Sequence, residues 1–502
     1  MTTETIRTTP ADIDRHRWAA LLVLCVGMLM IVLDVTVVNV ALPSIQNDLG
    51  FSQSSLAWVV NAYLISFGGL LLLAGRLGDL IGRRRIFMIG LTIFTAASLA
   101  CGLAQSEGVL IAARFVQGVG GAMTSAVILG MIVTMFPEPR EQAKAIGIYG
   151  FVASAGGSIG LLAGGVLTDT ISWHWIFFIN LPIAILTAVL AARLIEADEG
   201  IGLGRGADVL GAVLVTSALM LGVYTIVKGS EFGWGSARTL ALGAGSLALL
   251  VTFVLRQARA ANPLMPLRIF RSRNVTGANL VQVVVVAGMF GMFFMGTLYL
   301  ERVLGFDPLE IGFAFLPATI VMGLFSAGLS ARLTTRFGPR ATLLPALVAV
   351  LAGLVLFARV PVDGSYLTDV LPPILLIGVG AGLSFPSLMT FAMSGATPAD
   401  AGLASGLVNT TAQVGGALGL AVLATLAASR TDDLRAAGDG NAAALTGGYH
   451  LAFVVGAVLV ALGVAIAFAM LREAPAMAGH TEHDHGHAGH EPGAAEPAYA
   501  EA

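Results

Sequence analysis

The chain has 502 residues, of which 56% are hydrophobic and 11% charged, whereas a soluble globular protein carries about 25% charged residues. So much apolar surface cannot be hidden in one water-soluble core and requires lipid cover, and a net charge of −3 leaves no basic footprint for nucleic acid. The only lysines are Lys144 and Lys228, neither in a G-x-x-x-x-G-K-[ST] loop, which excludes a phosphate-cradling ATPase motif. Cys25 and Cys101 both fall in apolar runs, so no disulfide framework is indicated.

Residues 1–17 are polar and are expected to form a cytoplasmic N-terminus. They are not read as a signal peptide, because the apolar run that follows is too long for an h-region and lacks a cleavage site. Apolar runs near the roughly 20 residues needed to span a bilayer lie at about 18–42, 53–74, 86–104, 108–134, 142–168, 174–194, 209–228, 237–256, 274–299, 309–331, 341–360, 368–392, 403–427 and 448–471. With the N-terminus inside, the inner segments hold 20 Lys/Arg and the outer ones 6, as the positive-inside rule requires of fourteen crossings with both ends cytoplasmic. The internal connections are too short for a soluble catalytic domain. Residues 472–502 form a His-rich tail that is expected to be disordered.

An internal repeat divides the chain. Arg76–Arg84 echoes Arg332–Arg340 at an offset of 256, and Gly156–Leu161 echoes Gly415–Leu420 at an offset of 259. The fold expected is therefore all-α and integral to the membrane. It has an N-terminal six-helix half at 18–194, two inserted helices with cytoplasmic linkers at 195–273, and a C-terminal six-helix half at 274–471. Repeated halves around a midplane site suit a transporter, because rocking one against the other alternates access.

Asp34 is the single acidic residue deep within a predicted span, and Arg114 is the single basic residue inside one, about a turn or two from its outer end. An intramembrane charge costs about 2.5–3.5 kcal/mol on insertion scales, so such residues usually serve function. Asp34 is placed to exchange a proton or meet a cationic substrate; the alternative is a structural acid bonded to a neighbouring helix. Arg114 is read as a functional cation, with a structural ion pair or snorkelling as the alternative. Gln117, three residues on, shares its helix face and could orient it. The repeat places no acid opposite Asp34, so proton chemistry is expected in the N-terminal half.

Gly156, Gly160 and Gly164 form a stripe on the fifth span, widened by Gly157 and Gly165, which lets helices approach closely and slide as the halves rock. Met289, Phe290, Met292, Phe293, Phe294 and Met295 are read first as packing, with an adaptable apolar pocket as the alternative. His480, His483, His485, His487 and His490 could bind zinc or nickel, but no preformed geometry is implied and no metal site is assigned.

Several of these segments resemble one family. Gly75-Arg76-Leu77-Gly78-Asp79-Leu80-Ile81-Gly82-Arg83-Arg84-Arg85 resembles the loop between helices 2 and 3 of the major facilitator superfamily. Leu33–Pro43, Arg114–Gly121 and Trp173–Pro182 are similar to the helix 1, helix 4 and helix 6 motifs of its fourteen-helix drug/proton antiporters, the QacA/EmrB type. The resemblance covers nearly the whole chain. It departs at Leu161, where the helix 5 antiporter motif has proline, and at His174, where the family has arginine.

The resemblance implies a major facilitator fold and a proton-coupled antiporter exporting small amphipathic drugs or toxic metabolites, cationic ones included, across the bacterial inner membrane. Such a protein needs no cofactor and takes protons, a small-molecule substrate and the lipid bilayer as partners. It implies proton coupling through Asp34, Arg114, Gln117 and Asn39, and a conformational latch of Gly75, Arg76, Asp79, Gly82, Arg83 and Arg84. The helix 5 motif implies packing through Gly156, Gly160, Gly164 and Gly165. A monomer is expected, and docking to a periplasmic adaptor is left open. An importer of the same fold is the nearest alternative, kept alive by Leu161. A membrane-embedded enzyme or receptor has no H-E-x-x-H or G-x-S-x-G motif to support it.

Overall fold

A computed structural model describes residues 10–52, 54–198, 200, 202, 206–394 and 401–472, so the His-rich tail lies outside the described residues apart from its first residue, Arg472. In a bilayer every backbone N–H and C=O must be satisfied within the chain, which favours helices; no strand occurs among the described residues.

The N-terminal helices are α1 (Pro10–Leu49), α2 (Ala57–Ile81), α3 (Arg83–Gly102), α4 (Glu107–Met135), α5 (Pro139–Thr170), the single turn α6 (Trp175–Phe178) and α7 (Asn180–Leu194). Two further helices, α8 (Val209–Phe232) and α9 (Ala237–Arg259), precede α10 (Arg273–Arg302) and α11 (Pro308–Leu324). The latter runs through a π turn at Phe325–Leu329 into α12 (Ser330–Phe337), and α13 (Pro339–Phe357), α14 (Leu371–Met393), α15 (Ala401–Ala436) and α16 (Asn441–Met470) complete the bundle.

Local chemistry sets several starts. Asp307 and Glu310 form a reciprocal capping box ahead of α11, with Pro308 in its first turn. Ser236 caps α9 by accepting from the Thr239 N–H. Asp208 caps α8, and its buried carboxylate also accepts from Arg256 and Gln257 near the end of α9, tying the pair together.

Twelve helices among the described residues are long and apolar enough to cross a membrane, so the chain is a multi-span membrane protein while the expected number of fourteen crossings is not confirmed. The two expected spans outside the twelve are 142–168, which falls in the 32-residue α5, and 309–331, where the π turn divides one rod into α11 and α12.

Among the first seven helices α1 packs on α5 and α7, and α4 on α2 and α3; among the last seven α10 packs on α15 and α16, and α14 on α11 and α13. The two groups meet chiefly along two seams, α5 against α11 and α2 against α15, with smaller contacts of α1 on α10 and α11 and with α8 lying on both α2 and α15. The repeat is visible in the backbone. Gly82 and Gly338, 256 residues apart, both turn between helices at positive φ (102° and 86°), where a side chain would be strained. Outward-facing residues such as Leu240, Leu247 and Val251 on α9 are exposed and apolar, as lipid contact requires.

Candidate functional site

Helix α4 carries Arg114, Gln117, Gly118 and Gly121 on one face at helical spacing. The two glycines let α2 close on that face. A Cβ on Gly118 would meet Ser66 and stand 2.5 Å from the Tyr63 carbonyl, and one on Gly121 would stand 2.8 Å from the Tyr63 hydroxyl. Gly120 brings α3 equally near at Phe94. This close packing seals the polar groups away from water.

Arg114 and Asp34 meet at the centre, with relative exposures of 1% and 0%. Arg114 Nη1 donates to Asp34 Oδ2 at 2.5 Å and to Gln117 Oε1 at 2.7 Å, and its Nε donates to the Val59 carbonyl at 2.9 Å. The guanidinium also lies over the Tyr63 ring, 4.4 Å from its centroid. Asp34 Oδ1 accepts from Gln117 Nε2 at 2.6 Å and from Asn180 Nδ2 at 3.0 Å, and both amides also donate to Ser98 Oγ. Five helices, α1, α2, α3, α4 and α7, therefore converge on one carboxylate and its cation. A buried pair satisfied in this way holds its partners in register, while removing either member strands the other.

Of the four residues expected here, Asp34, Arg114 and Gln117 come together. Asn39 does not: its Nδ2 bonds the Val35 carbonyl of its own helix at 3.2 Å. Ser98 and Asn180 complete the network and were not singled out by the sequence, although Asn180 stands inside the helix 6 motif.

At the Gly82 end of the bundle, Arg83 pairs with Asp79 at 3.1 Å and donates to the Gly130 carbonyl and Thr134 on α4. Arg84 donates to the Ala192 carbonyl of α7. Asp198, beyond α7, accepts from the backbone N–H of Arg83 and of Arg84 and so caps α3 from a distant part of the chain. A Cβ on Gly82 would stand 2.7 Å from the Asp198 carbonyl, so glycine is needed there for space as well as for φ. Gly75 has only the Ala126 methyl within 4 Å of a would-be Cβ. Arg76 is half-buried and makes no hydrogen bond or ion pair among the described residues.

The helix 5 glycines divide between two neighbours, which corrects the expected single sliding stripe. Gly156, Gly160 and Gly164 face α1 at Leu29, Thr36 and Val37, a contact among the first seven helices. Gly165 instead faces α11, 2.7 Å from the Pro308 carbonyl, and Gly157 faces Thr319 of the same rod. Successive residues lie about 100° apart on a helix, so Gly164 and Gly165 serve different interfaces. Ser158, beside Gly157, donates to Thr319 Oγ1 at 2.7 Å across that seam.

No cluster of three or more metal-ligating side chains occurs among the described residues.

Comparison with known proteins points the same way. Over 455 residues the chain is 40% identical to a puromycin resistance protein of Streptomyces alboniger, covering 89% of this chain and 90% of that one. It is 39% identical to a cephamycin export protein of Amycolatopsis lactamdurans, covering 89% and 91%. The fold matches the crystal structure of a bacterial homolog of the human lysosomal transporter Spinster, with a TM-score of 0.65 at 17% identity, over 90% of this chain and 96% of that one. Residues 24–420 match the family model of the Major Facilitator Superfamily. With helices of bilayer length, a sealed ion pair among them and relatives matched over nearly their whole length, the chain is a membrane transporter and not an enzyme, and it belongs to the major facilitator superfamily.

Proposed function

We propose that the chain is a proton-coupled antiporter that exports small amphipathic antibiotics or toxic metabolites across the bacterial cytoplasmic membrane. Both termini face the cytoplasm, the bundle crosses fourteen times, and the protein works as a monomer on the proton gradient without a cofactor. The relatives named for puromycin resistance and cephamycin export support the substrate class. The observation that carries proton coupling is the fully buried Asp34–Arg114 pair, where a single proton changes the charge balance of a sealed site.

In this reading a proton arriving at Asp34 neutralises the carboxylate. Arg114 then keeps its Gln117 Oε1, Val59 carbonyl and Tyr63 ring contacts but loses its counter-ion. The tie between α1 and α4 weakens, and the first seven helices move against the last seven. One inward proton is worth about 2.3 kcal/mol per 100 mV, enough to sustain roughly a 40-fold gradient of a neutral solute.

The test is transport in proteoliposomes with an imposed pH gradient, following ethidium for the wild type and Asp34→Asn. Gradient-driven movement that the substitution abolishes supports coupling through Asp34. Equal movement by both makes Asp34 structural and ends this mechanism.

A further inference from the structure

Asn61 is fully buried, and both its amide nitrogen and its amide oxygen lack a hydrogen-bond partner among the described residues. A buried carboxamide left entirely unpaired is costly, and folded proteins rarely retain one without a reason. Its position supplies the reason. Asn61, Gly68 and Leu72 lie on one line of α2, at spacings of seven and eleven residues. That line faces α15: a Cβ on Gly68 would stand 2.7 Å from Gln413 Cβ, and one on Gly406 would stand 2.8 Å from Leu72 Cδ2.

Nearer to Asn61, a Cβ on Gly416 would stand 3.4 Å from Leu64 and 3.3 Å from Phe290 of α10. Continuing that antiparallel register brings Asn61 level with Ala417 and Leu420, which are buried and have no polar side-chain atom to offer. The opposite side of the same turn of α2 holds the ion pair, through the Val59 carbonyl and the Tyr63 ring. Asn61 is thus one helix width from Arg114, at the same depth, and turned toward the seam that must part if the halves rock. A second buried orphan, Thr410 Oγ1, borders that seam near Gly68.

We propose that Asn61 is a specificity-determining residue whose carboxamide hydrogen-bonds a carbonyl, hydroxyl or amide of the transported molecule when the α2/α15 seam opens. The inference rests on the export reading above. It also explains how cargo is sensed at the ion pair: a ligand drawn against Asn61 pulls on the turn of α2 that holds Arg114.

Two probes separate this role from a structural one: puromycin, rich in hydroxyl and amide groups, and tetraphenylphosphonium, which has no hydrogen-bonding group. Export of each is followed in proteoliposomes for the wild type, Asn61→Leu and Asn61→Gln. Puromycin export should fall roughly tenfold in Asn61→Leu, as loss of one well-made hydrogen bond predicts. It should recover at least partly in Asn61→Gln, while tetraphenylphosphonium export stays within about twofold in both. An equal fall for both probes would make Asn61 a packing or hinge residue and overturn the proposal, as would unchanged puromycin export. A wild type that moves neither probe would overturn the export reading itself, and this inference with it.

Discussion

Taking Arg114 away would strip the buried Asp34 of its counter-ion and leave only two amides to donate to it. Breaking a buried pair on one side costs about 3–5 kcal/mol, because the remaining charge is stranded. Arg114→Ala should therefore lower the unfolding free energy in detergent by that order. The double variant Asp34→Asn/Arg114→Gln should recover much of the loss, since neither charge remains. Additive losses in the double variant would show that the two side chains do not depend on each other. Both charges were legible in the sequence because a carboxylate or guanidinium inside an apolar run has few bland explanations, and Gln117 followed from a spacing of three. Ser98 and Asn180 were not legible: neutral polar side chains are common in membrane helices, and the bond between them joins positions 82 residues apart. Asn39 looked equivalent on paper but spends its amide on its own helix.

At the scale of helices, adjacent glycines on α5 give two different predictions. A side chain on Gly164 meets α1 backbone, with Val37 Cα and its carbonyl oxygen both at 2.9 Å, in a contact that must persist through the cycle. Gly164→Val should destabilise the protein by about 1–3 kcal/mol, the usual cost of overpacking. Gly165→Val meets Pro308 and Leu309 of α11 at a seam that rocking would open. It should arrest transport while the thermal midpoint stays nearer the wild type, and a reversed order of effects would contradict the division of the stripe. The glycine pattern itself was plain in the sequence. Its partners were not, because a one-residue step turns a side chain through about 100° and only packing says which neighbour lies there.

The inserted pair has its own clasp. Burial alone would raise the Asp208 carboxyl, but bonds from Arg256, the Gly211 N–H and Gln257 outweigh it and hold the group below its ordinary value of 3.8. A carboxylate depressed in the folded state contributes stability that is fully present above its unfolded pKa and is lost as pH falls through the folded one. Asp208→Asn, which mimics the protonated side chain, should thus be less stable than the wild type at neutral pH. The gap should close as the pH is taken below about 3.8, and a gap constant across that range would show that the charge is irrelevant.

For the molecule as a whole, the repeat at offsets of 256 and 259 foretold two related groups of helices, and the paired packing of α1 on α5 and α10 on α15 follows it. The number of crossings was harder to read, because a hydropathy run does not reveal a π turn that splits a rod at Phe325. What the repeat could not say is which helices meet across the halves. The two seams, α5/α11 and α2/α15, are related by the same repeat, and a rocking cycle requires each to part in turn. That can be tested by tying them one at a time in a background lacking Cys25 and Cys101. Ser158 Oγ and Thr319 Oγ1 lie 2.7 Å apart, so Ser158→Cys/Thr319→Cys places two sulfurs within bonding reach across α5/α11. Gly68→Cys/Gln413→Cys does the same for α2/α15, where the Cβ positions are close enough that the backbones must ease apart slightly. Each disulfide alone should stop gradient-driven transport, and a reductant should restore it. If only the α2/α15 tie were inhibitory, α5/α11 would be a fixed hinge and the motion a one-sided opening. Transport at the wild-type rate with both ties closed would mean that neither seam opens, and the substrate path would have to lie within one group of helices.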